Sequence, residues 1–157
     1  MPGFKLTAKQ DEANAIIASD ARHIMLFGGS RSGKTFLAVR ALVVRSIKAA
    51  KSRHAILRFR FNAVKASIAY DTFPKVMDLC YPQIKYELNK TDWFFELVNG
   101  SQIWLGGLDD KERTEKILGN EYATIFLNEC SQIPWGSRNI AVTRLAQVAT
   151  TADGGQL

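Results

Sequence analysis

The chain has 157 residues and a mass of 17.5 kDa, which corresponds to about one domain. With 46% hydrophobic and 23% charged residues, its composition excludes a disordered, collagen-like or low-complexity chain. The net charge is +6, but residues 21–70 hold 11 Lys or Arg and no Asp or Glu, so the remainder carries −5. A basic block of this length without a carboxylate predicts a negatively charged partner.

The ends of the chain and its cysteines point to the cytoplasm. No apolar segment near the N-terminus suits a secretory signal, and no run reaches the roughly 18 apolar residues of a membrane span. Cys80 and Cys130 are predicted to be buried thiols rather than a disulfide framework or a zinc site. Gly154 and Gly155 are typical of a turn before a new element, so we expect a piece of a longer protein.

The first half of the chain alternates helices and strands. Thr7 and Gln10 can form a capping box that starts the first helix. In chain order, the predicted elements are a helix to about residue 19, a buried strand over residues 23–27, an amphipathic helix over about 34–51, a strand over 54–61 and a helix over about 63–78, interrupted near Pro74.

The second half begins with a β-rich stretch. Three short runs, residues 84–88, 93–98 and 102–105, include a hairpin whose turn is Asn99-Gly100. Alternation puts Trp93 and Phe95 on one face and Phe94 on the other, which predicts packing of a sheet. A helix over 109–118, a strand over 122–127 and a helix over about 139–148 follow. The pattern predicts an α/β fold with a mainly parallel central sheet flanked by helices, plus a β-hairpin insertion near residues 84–105.

Residues 28–35 match the phosphate-binding pattern G-x-x-x-x-G-K-[ST] in full, between a predicted strand and a predicted helix. The glycines let backbone amides face a phosphate, and the helix N-terminus adds partial positive charge. Lys34 would reach the β- and γ-phosphates, and the Thr35 hydroxyl would hold Mg²⁺. The expected nucleotide-binding residues of this loop are Gly28, Gly29, Ser30, Arg31, Ser32, Gly33, Lys34 and Thr35.

Two residues near this motif each have two interpretations. Arg31 could supply a cationic charge to the γ-phosphate within the same chain, or it could be a solvent-facing arginine on an exposed turn. The amide of Gln10 could pair with the edge of adenine, or it could serve only the capping box. One side chain cannot easily do both.

A second candidate segment is the apolar strand that ends at Asn128-Glu129, as a Walker B strand does. The first polar position is usually Asp, so Asn128 could hydrogen-bond a metal-bound water but adds no charge. Glu129 is the candidate for polarising the attacking water. The alternative is an ordinary helix cap after a strand.

Together these features resemble the ATPase domain of the large terminase subunit of bacteriophages. The matching segments are residues 6–10, 28–35, 58–60, 66–68, 106–109, 116–119 and 125–129. The resemblance implies a P-loop NTPase fold and an ATP-hydrolysing motor that drives viral DNA into the capsid, with ATP and Mg²⁺ as cofactors. It implies Gln10 near adenine, Lys34 and Thr35 on phosphate and metal, Asn128 beside the metal, Glu129 as catalytic base and Arg31 as a sensor or finger.

The resemblance also implies partners. These are double-stranded DNA contacted through its backbone, the capsid portal, the small terminase subunit and other copies in a ring, in the host cytoplasm and without a membrane. Arg138 and Arg144 are candidates for an arginine offered to a neighbouring subunit, or they are surface charges. Residues 1–157 would form one P-loop ATPase domain whose coupling strand and nuclease domain lie beyond Leu157.

Other functions are possible for the same sequence. A helicase-like DNA-dependent ATPase would share the phosphate loop, and Asn128 is compatible with a nucleotide-binding fragment without turnover. A small-molecule kinase is disfavoured because the chain has no arginine-rich lid segment. The basic residues after the phosphate loop could contact DNA or a neighbouring subunit, or form a solvated helix face; they are Arg40, Arg45, Lys48, Lys51 and Arg53.

Overall fold

The structure, a computed structural model, describes residues 4–157. The helices are α1 (Ala8–Ile17), α2 (Lys34–Lys48), α3 (Phe61–Val64), α4 (Phe73–Cys80), α5 (Lys111–Leu118) and α6 (Trp135–Val142). A π-helical segment, Lys65–Thr72, joins α3 to α4, and a 3₁₀ turn spans Cys130–Gln132. The strands are β1 (Arg53–Arg58), β2 (Tyr86–Asn89), β3 (Phe94–Leu97), β4 (Gln102–Gly107) and β5 (Thr124–Leu127).

The five strands form one sheet in the order β2-β3-β4-β1-β5. β1 is parallel to both β4 and β5, whereas β2, β3 and β4 pair in an antiparallel way. Leu57 lies opposite Gly106 on one side and Leu127 on the other, so the carboxyl ends of the three parallel strands meet at one edge. The α/β prediction is confirmed, and the predicted hairpin extends the central sheet rather than standing apart from it.

Side chains of the sheet alternate between two cores, as the pleat requires. On one face Ile56 and Phe95 join buried residues of α2, the π-helical segment and α4, with Phe73 stacked on Phe95 at 3.7 Å between ring centroids. On the other face Leu57 and Trp104 pack with residues of α5 and α6. Phe94 stacks on Trp104 there, which confirms the predicted division of the hairpin aromatics.

The predicted buried strand over residues 23–27 is wrong. The segment is extended but pairs with no strand of the described chain, and no backbone hydrogen bond holds residues 22–27. Its side chains are largely exposed, including Met25 at 74% and Phe27 at 89%. An apolar run becomes a strand only beside a partner with free backbone groups, and the sheet ends at β5 without reaching this segment.

Two helices also differ from expectation. Pro74 lies in the first turn of α4, where a missing N–H is tolerated, and the irregularity is instead the π-helical segment before it. The last helix is predicted over residues 139–148 but begins directly after Pro134, whose φ of −57° suits a helix start. It ends at Val142, and the Arg144 carbonyl then accepts from the Tyr122 backbone amide next to β5 at 2.8 Å.

The cysteines are less buried than predicted. Cys80 is half-buried, and Cys130 is exposed on the 3₁₀ turn after β5. Among the described residues, none of the helices has the length and apolar content needed to cross a membrane.

Candidate nucleotide-binding site

The phosphate loop is shaped by residues in left-handed backbone conformations. Gly33, the N-cap of α2, has φ of 80°, and Arg31 has φ of 60° although it is not a glycine. A Cβ at residue 33 would lie 2.5 Å from Nε2 of Gln10, so the end of that flexible side chain would have to move. Residue 33 therefore favours glycine because of its backbone conformation, and Arg31 stores backbone strain of the kind found at functional sites.

The Lys34 side chain folds back over its own loop. Its ammonium donates to the carbonyl oxygens of Gly28 at 3.0 Å and Gly29 at 2.7 Å, and to Oγ of Ser32 at 3.0 Å. These three bonds use all its donors and fix the charge above the loop. A phosphate group seated on the loop would have to replace at least one of these bonds to accept from the ammonium.

The end of β5 lies against the phosphate loop, although 93 residues separate the two in sequence. The side-chain Nδ2 of Asn128 donates to Oγ1 of Thr35 at 3.3 Å, and the backbone N–H of Asn128 donates to the carbonyl of Leu57 at 2.8 Å. Asn128 is 4% exposed, so its position is set by β1 and α2 together. The helix-cap alternative does not describe this side chain, because it bonds Thr35.

Glu129 follows in a left-handed conformation, with φ of 52° and ψ of 50°. Its side chain does not cap the following turn; it lines a cavity of about 380 Å³ whose other walls include residues 30–35. This conformation is uncommon outside glycine. The structure thus brings Arg31, Lys34, Thr35 and Glu129 to one cavity.

The same cavity has a wall that sequence reasoning missed. Asp71, Thr72 and Lys75 line it from the π-helical segment and α4, together with Phe36 of α2. Lys75 Nζ lies 3.7 Å from Asp71 Oδ1. The only signal in the sequence was the i,i+4 spacing of the two charges, which is common on any helix surface.

Comparison with known protein families decides the classification. The family model of the phage terminase large subunit matches residues 20–151. The chain belongs to the phage terminase large subunit family. A comparison with curated proteins gives no significant match.

Solved structures of a large terminase from a thermophilic bacteriophage share the fold. One matches with a TM-score of 0.78 and 16% identity, covering 92% of this chain and 37% of that one. The same large terminase solved with ADP matches at 0.74 and 14%, and with ATP-γ-S at 0.73 and 15%, each covering 91% of this chain and 36% of that one. This terminase chain therefore spans little more than a third of the length of the large terminases it matches.

Gln10 of this terminase chain forms the predicted capping box. Its side-chain Oε1 accepts from the backbone N–H of Thr7 at 2.9 Å, and its backbone N–H donates to Thr7 Oγ1 at 3.3 Å. The remaining Nε2 lies against Gly33, so the side chain joins the start of α1 to the phosphate loop. A bidentate contact with adenine would require Oε1 to leave the cap.

The two candidate arginines for a neighbouring subunit lie outside the cavity wall. Arg138 donates to Oδ1 of Asn139 at 3.0 Å and its guanidinium lies 4.9 Å from the ring centroid of Trp135. Arg144 is half-buried, and its Nε is buried without a partner among the described residues. Trp135 is 72% exposed, so Arg138 sits on an open aromatic surface.

The basic block divides into structural and free charges. Arg40 donates to Oδ1 of Asn14 at 3.2 Å, and Nε of Arg45 donates to Oγ1 of Thr124 at 2.7 Å, so both arginines tie α2 to its neighbours. The ion pairs within residues 4–157 all lie outside the 21–70 block. No carboxylate of the described chain therefore neutralises that block by direct pairing.

The residues present suit Mg²⁺ held partly by a bound nucleotide. Among the described residues there is no cluster of three or more His, Cys, Asp or Glu able to hold a metal by themselves. Mg²⁺ in nucleotide sites takes one or two protein groups and fills its remaining positions with phosphate oxygens and water. The Thr35 hydroxyl can supply one such protein group. Asn128, whose Nδ2 lies 3.3 Å from Thr35 Oγ1, would contribute through its amide oxygen by accepting from a metal-bound water.

Proposed function

We propose that this chain is the ATP-hydrolysing part of a DNA-packaging motor. The observation that carries the proposal is the bond between Asn128 and Thr35, because it sets the end of β5, and with it Glu129, on the phosphate loop. Membership of the terminase family and the nucleotides bound to the large terminase of the thermophilic bacteriophage support the same function.

The roles of the side chains follow from their chemistry. The loop residues Gly28 to Gly33 and the Lys34 ammonium would bind the phosphates, with Arg31 directed at the γ-phosphate. Thr35 and Asn128 would hold Mg²⁺, which when bound neutralises phosphate charge. The Glu129 carboxylate would accept the proton of the attacking water. Gln10 would contact adenine once its capping oxygen is released.

Double-stranded DNA is the proposed nucleic-acid partner, contacted through its phosphate backbone. Support comes from the basic block, whose charges have no carboxylate partner among the described residues. The capsid portal, the small terminase subunit and further copies in a ring complete the proposed assembly in the host cytoplasm, with Arg138 or Arg144 as the arginine offered to a neighbour. The chain would be one part of a longer ATPase domain that also contains a coupling strand.

Phosphate release from ATP with Mg²⁺ tests the proposal. Glu129→Gln should keep nucleotide affinity but lose on the order of 10²-fold or more of the hydrolysis rate, as removal of a general base does. Lys34→Ala should lose nucleotide binding. Glu121→Gln is the matched control, because Glu121 is exposed and lies outside the cavity wall.

The outcomes separate the alternatives. An unaltered rate in Glu129→Gln would overturn the catalytic assignment. Tight ATP binding by the wild type without phosphate release would identify a nucleotide-binding fragment instead. Strand separation on naked DNA would favour a helicase-like ATPase.

A further inference from the structure

Lys75 lines the proposed nucleotide site from α4, a different part of the chain from the phosphate loop. It lines the same cavity as Lys34 and Glu129, although no motif includes it. Its position is set by packing: Phe73, Val76 and Met77 are buried in the core beside α2, which leaves Lys75 on the accessible side of α4. Lys75 is therefore a third cation, with Arg31 and Lys34, on the wall of the cavity in which we place the polyphosphate.

The position of the cavity indicates which phosphate Lys75 meets. Glu129, the proposed base for the attacking water, lines the cavity, whereas Gln10, on the proposed adenine side, does not. The π-helical segment and α4 thus border the end of the site at which the terminal phosphate would be cleaved. An ammonium there can distinguish a triphosphate from a diphosphate, because only the triphosphate places charge at that end.

The present partner of Lys75 is easily exchanged. Its Nζ lies 3.7 Å from Asp71 Oδ1, beyond hydrogen-bond distance, and the two side chains are 58% and 64% exposed. Exposed pairs of this kind contribute little to stability, so leaving Asp71 costs the fold little. A phosphate offers the ammonium stronger, charge-assisted hydrogen bonds.

We propose that Lys75 is a specificity-determining residue that binds the terminal phosphate of a nucleoside triphosphate, exchanging its loose pairing with Asp71 for the phosphate when nucleotide arrives. The inference rests on the proposed nucleotide-binding function. It assigns α4, rather than the phosphate loop alone, to the recognition of ATP over ADP.

Nucleotide affinity provides a test that does not depend on turnover. Dissociation constants for ATP-γ-S and ADP, with Mg²⁺, are measured by calorimetry on the whole chain. Lys75→Gln should weaken ATP-γ-S binding about tenfold, the loss of one charge-assisted contact, while ADP binding changes less than about twofold. Asp71→Asn should leave ATP-γ-S binding unchanged or tighter, because it releases the Lys75 ammonium.

The matched control is Lys111→Gln. Lys111 also forms an exposed i,i+4 pair, with Glu115 at 4.0 Å, but lies outside the cavity wall. It should change neither affinity, and the melting temperature of each variant checks that the fold is kept.

Three results overturn the inference. Equal losses for both nucleotides in Lys75→Gln, or no loss, would remove Lys75 from terminal-phosphate recognition while the proposed function stands. Weaker ATP-γ-S binding in Asp71→Asn would show that the pair acts through structure. A wild type that binds neither nucleotide would remove the proposed function together with the inference.

Discussion

His54 makes the stability of this chain sensitive to mild acid. It is fully buried on β1, with Nε2 2.9 Å from Oγ of Ser52. The other ring nitrogen, Nδ1, is buried without a partner among the described residues. Protonation would add a buried charge and an N–H with no acceptor. Burial, with a smaller contribution from the Arg45 charge, lowers the pKa of His54 to about 3.

The sign and size of the effect follow from linkage. The ordinary pKa of histidine is 6.5, so the unfolded chain takes up a proton before the folded chain does as pH falls. The full stability is present above pH 6.5 and is lost progressively between 6.5 and about 3. At roughly 1.36 kcal/mol per pH unit, the free energy of unfolding falls by about 2 kcal/mol at pH 5 and by roughly 5 kcal/mol over the whole window.

Urea unfolding at several pH values between about 5 and 7.5 measures this loss, in a range above the usual titration of Asp and Glu. His54→Gln keeps a donor near Ser52 but cannot titrate, so its stability should be flat across the window. His23→Gln, which removes the exposed histidine, should keep the wild-type slope. A wild-type loss of less than about 0.5 kcal/mol at pH 5, or a slope retained in His54→Gln, would show that His54 does not control the acid sensitivity.

Three further predictions concern the sheet and the loop. Gly107→Ala should lower the free energy of unfolding by about 3 kcal/mol, because the new Cβ would lie 2.5 Å from the backbone of α3. Gly136→Ala, with open space around it in α6, should raise the free energy of unfolding by up to about 1 kcal/mol. Thermal unfolding measures both changes. The amides of residues 22–27 should exchange with deuterium far faster than those of β1, since they lack backbone hydrogen bonds. Equal protection would show that residues 22–27 pair with a strand. Asn128→Asp should lower the Mg²⁺ concentration needed for tight ATP-γ-S binding, because it adds a carboxylate beside Thr35; an unchanged requirement would place the metal elsewhere.

Local patterns in the sequence were sufficient for much of the fold. Asn99-Gly100 turns the hairpin, and Gly100 has the positive φ, 77°, that such a turn requires. Thr7 and Gln10 form the capping box because its two bonds join residues three apart. Each of these features depends on neighbours within a few residues, so the sequence contains all the information that determines it.

Features that depend on distant partners could not be predicted in the same way. Residues 23–27 have the composition of a buried strand, but whether they pair depends on which strand lies beside them. Asp71 and Lys75 reach the cavity only because α4 packs beside α2, a long-range arrangement that no spacing encodes. The resemblance implied that Thr35 and Asn128 lie beside the same metal, but not that the two side chains bond each other or in which direction.

The direction of the Asn128–Thr35 hydrogen bond explains how asparagine at position 128 changes the metal-binding capacity of the site. Nδ2 of Asn128 donates to the Thr35 hydroxyl oxygen and occupies one of its lone pairs. An aspartate would instead accept a hydrogen bond from the hydroxyl and leave both oxygen lone pairs for a cation. With Asn128 neutral, the charged residues on the cavity wall are the cations Arg31, Lys34 and Lys75 against the anions Asp71 and Glu129. The excess positive charge favours the polyphosphate itself, so nucleotide affinity in this chain should depend less on Mg²⁺ than it would with a carboxylate at residue 128.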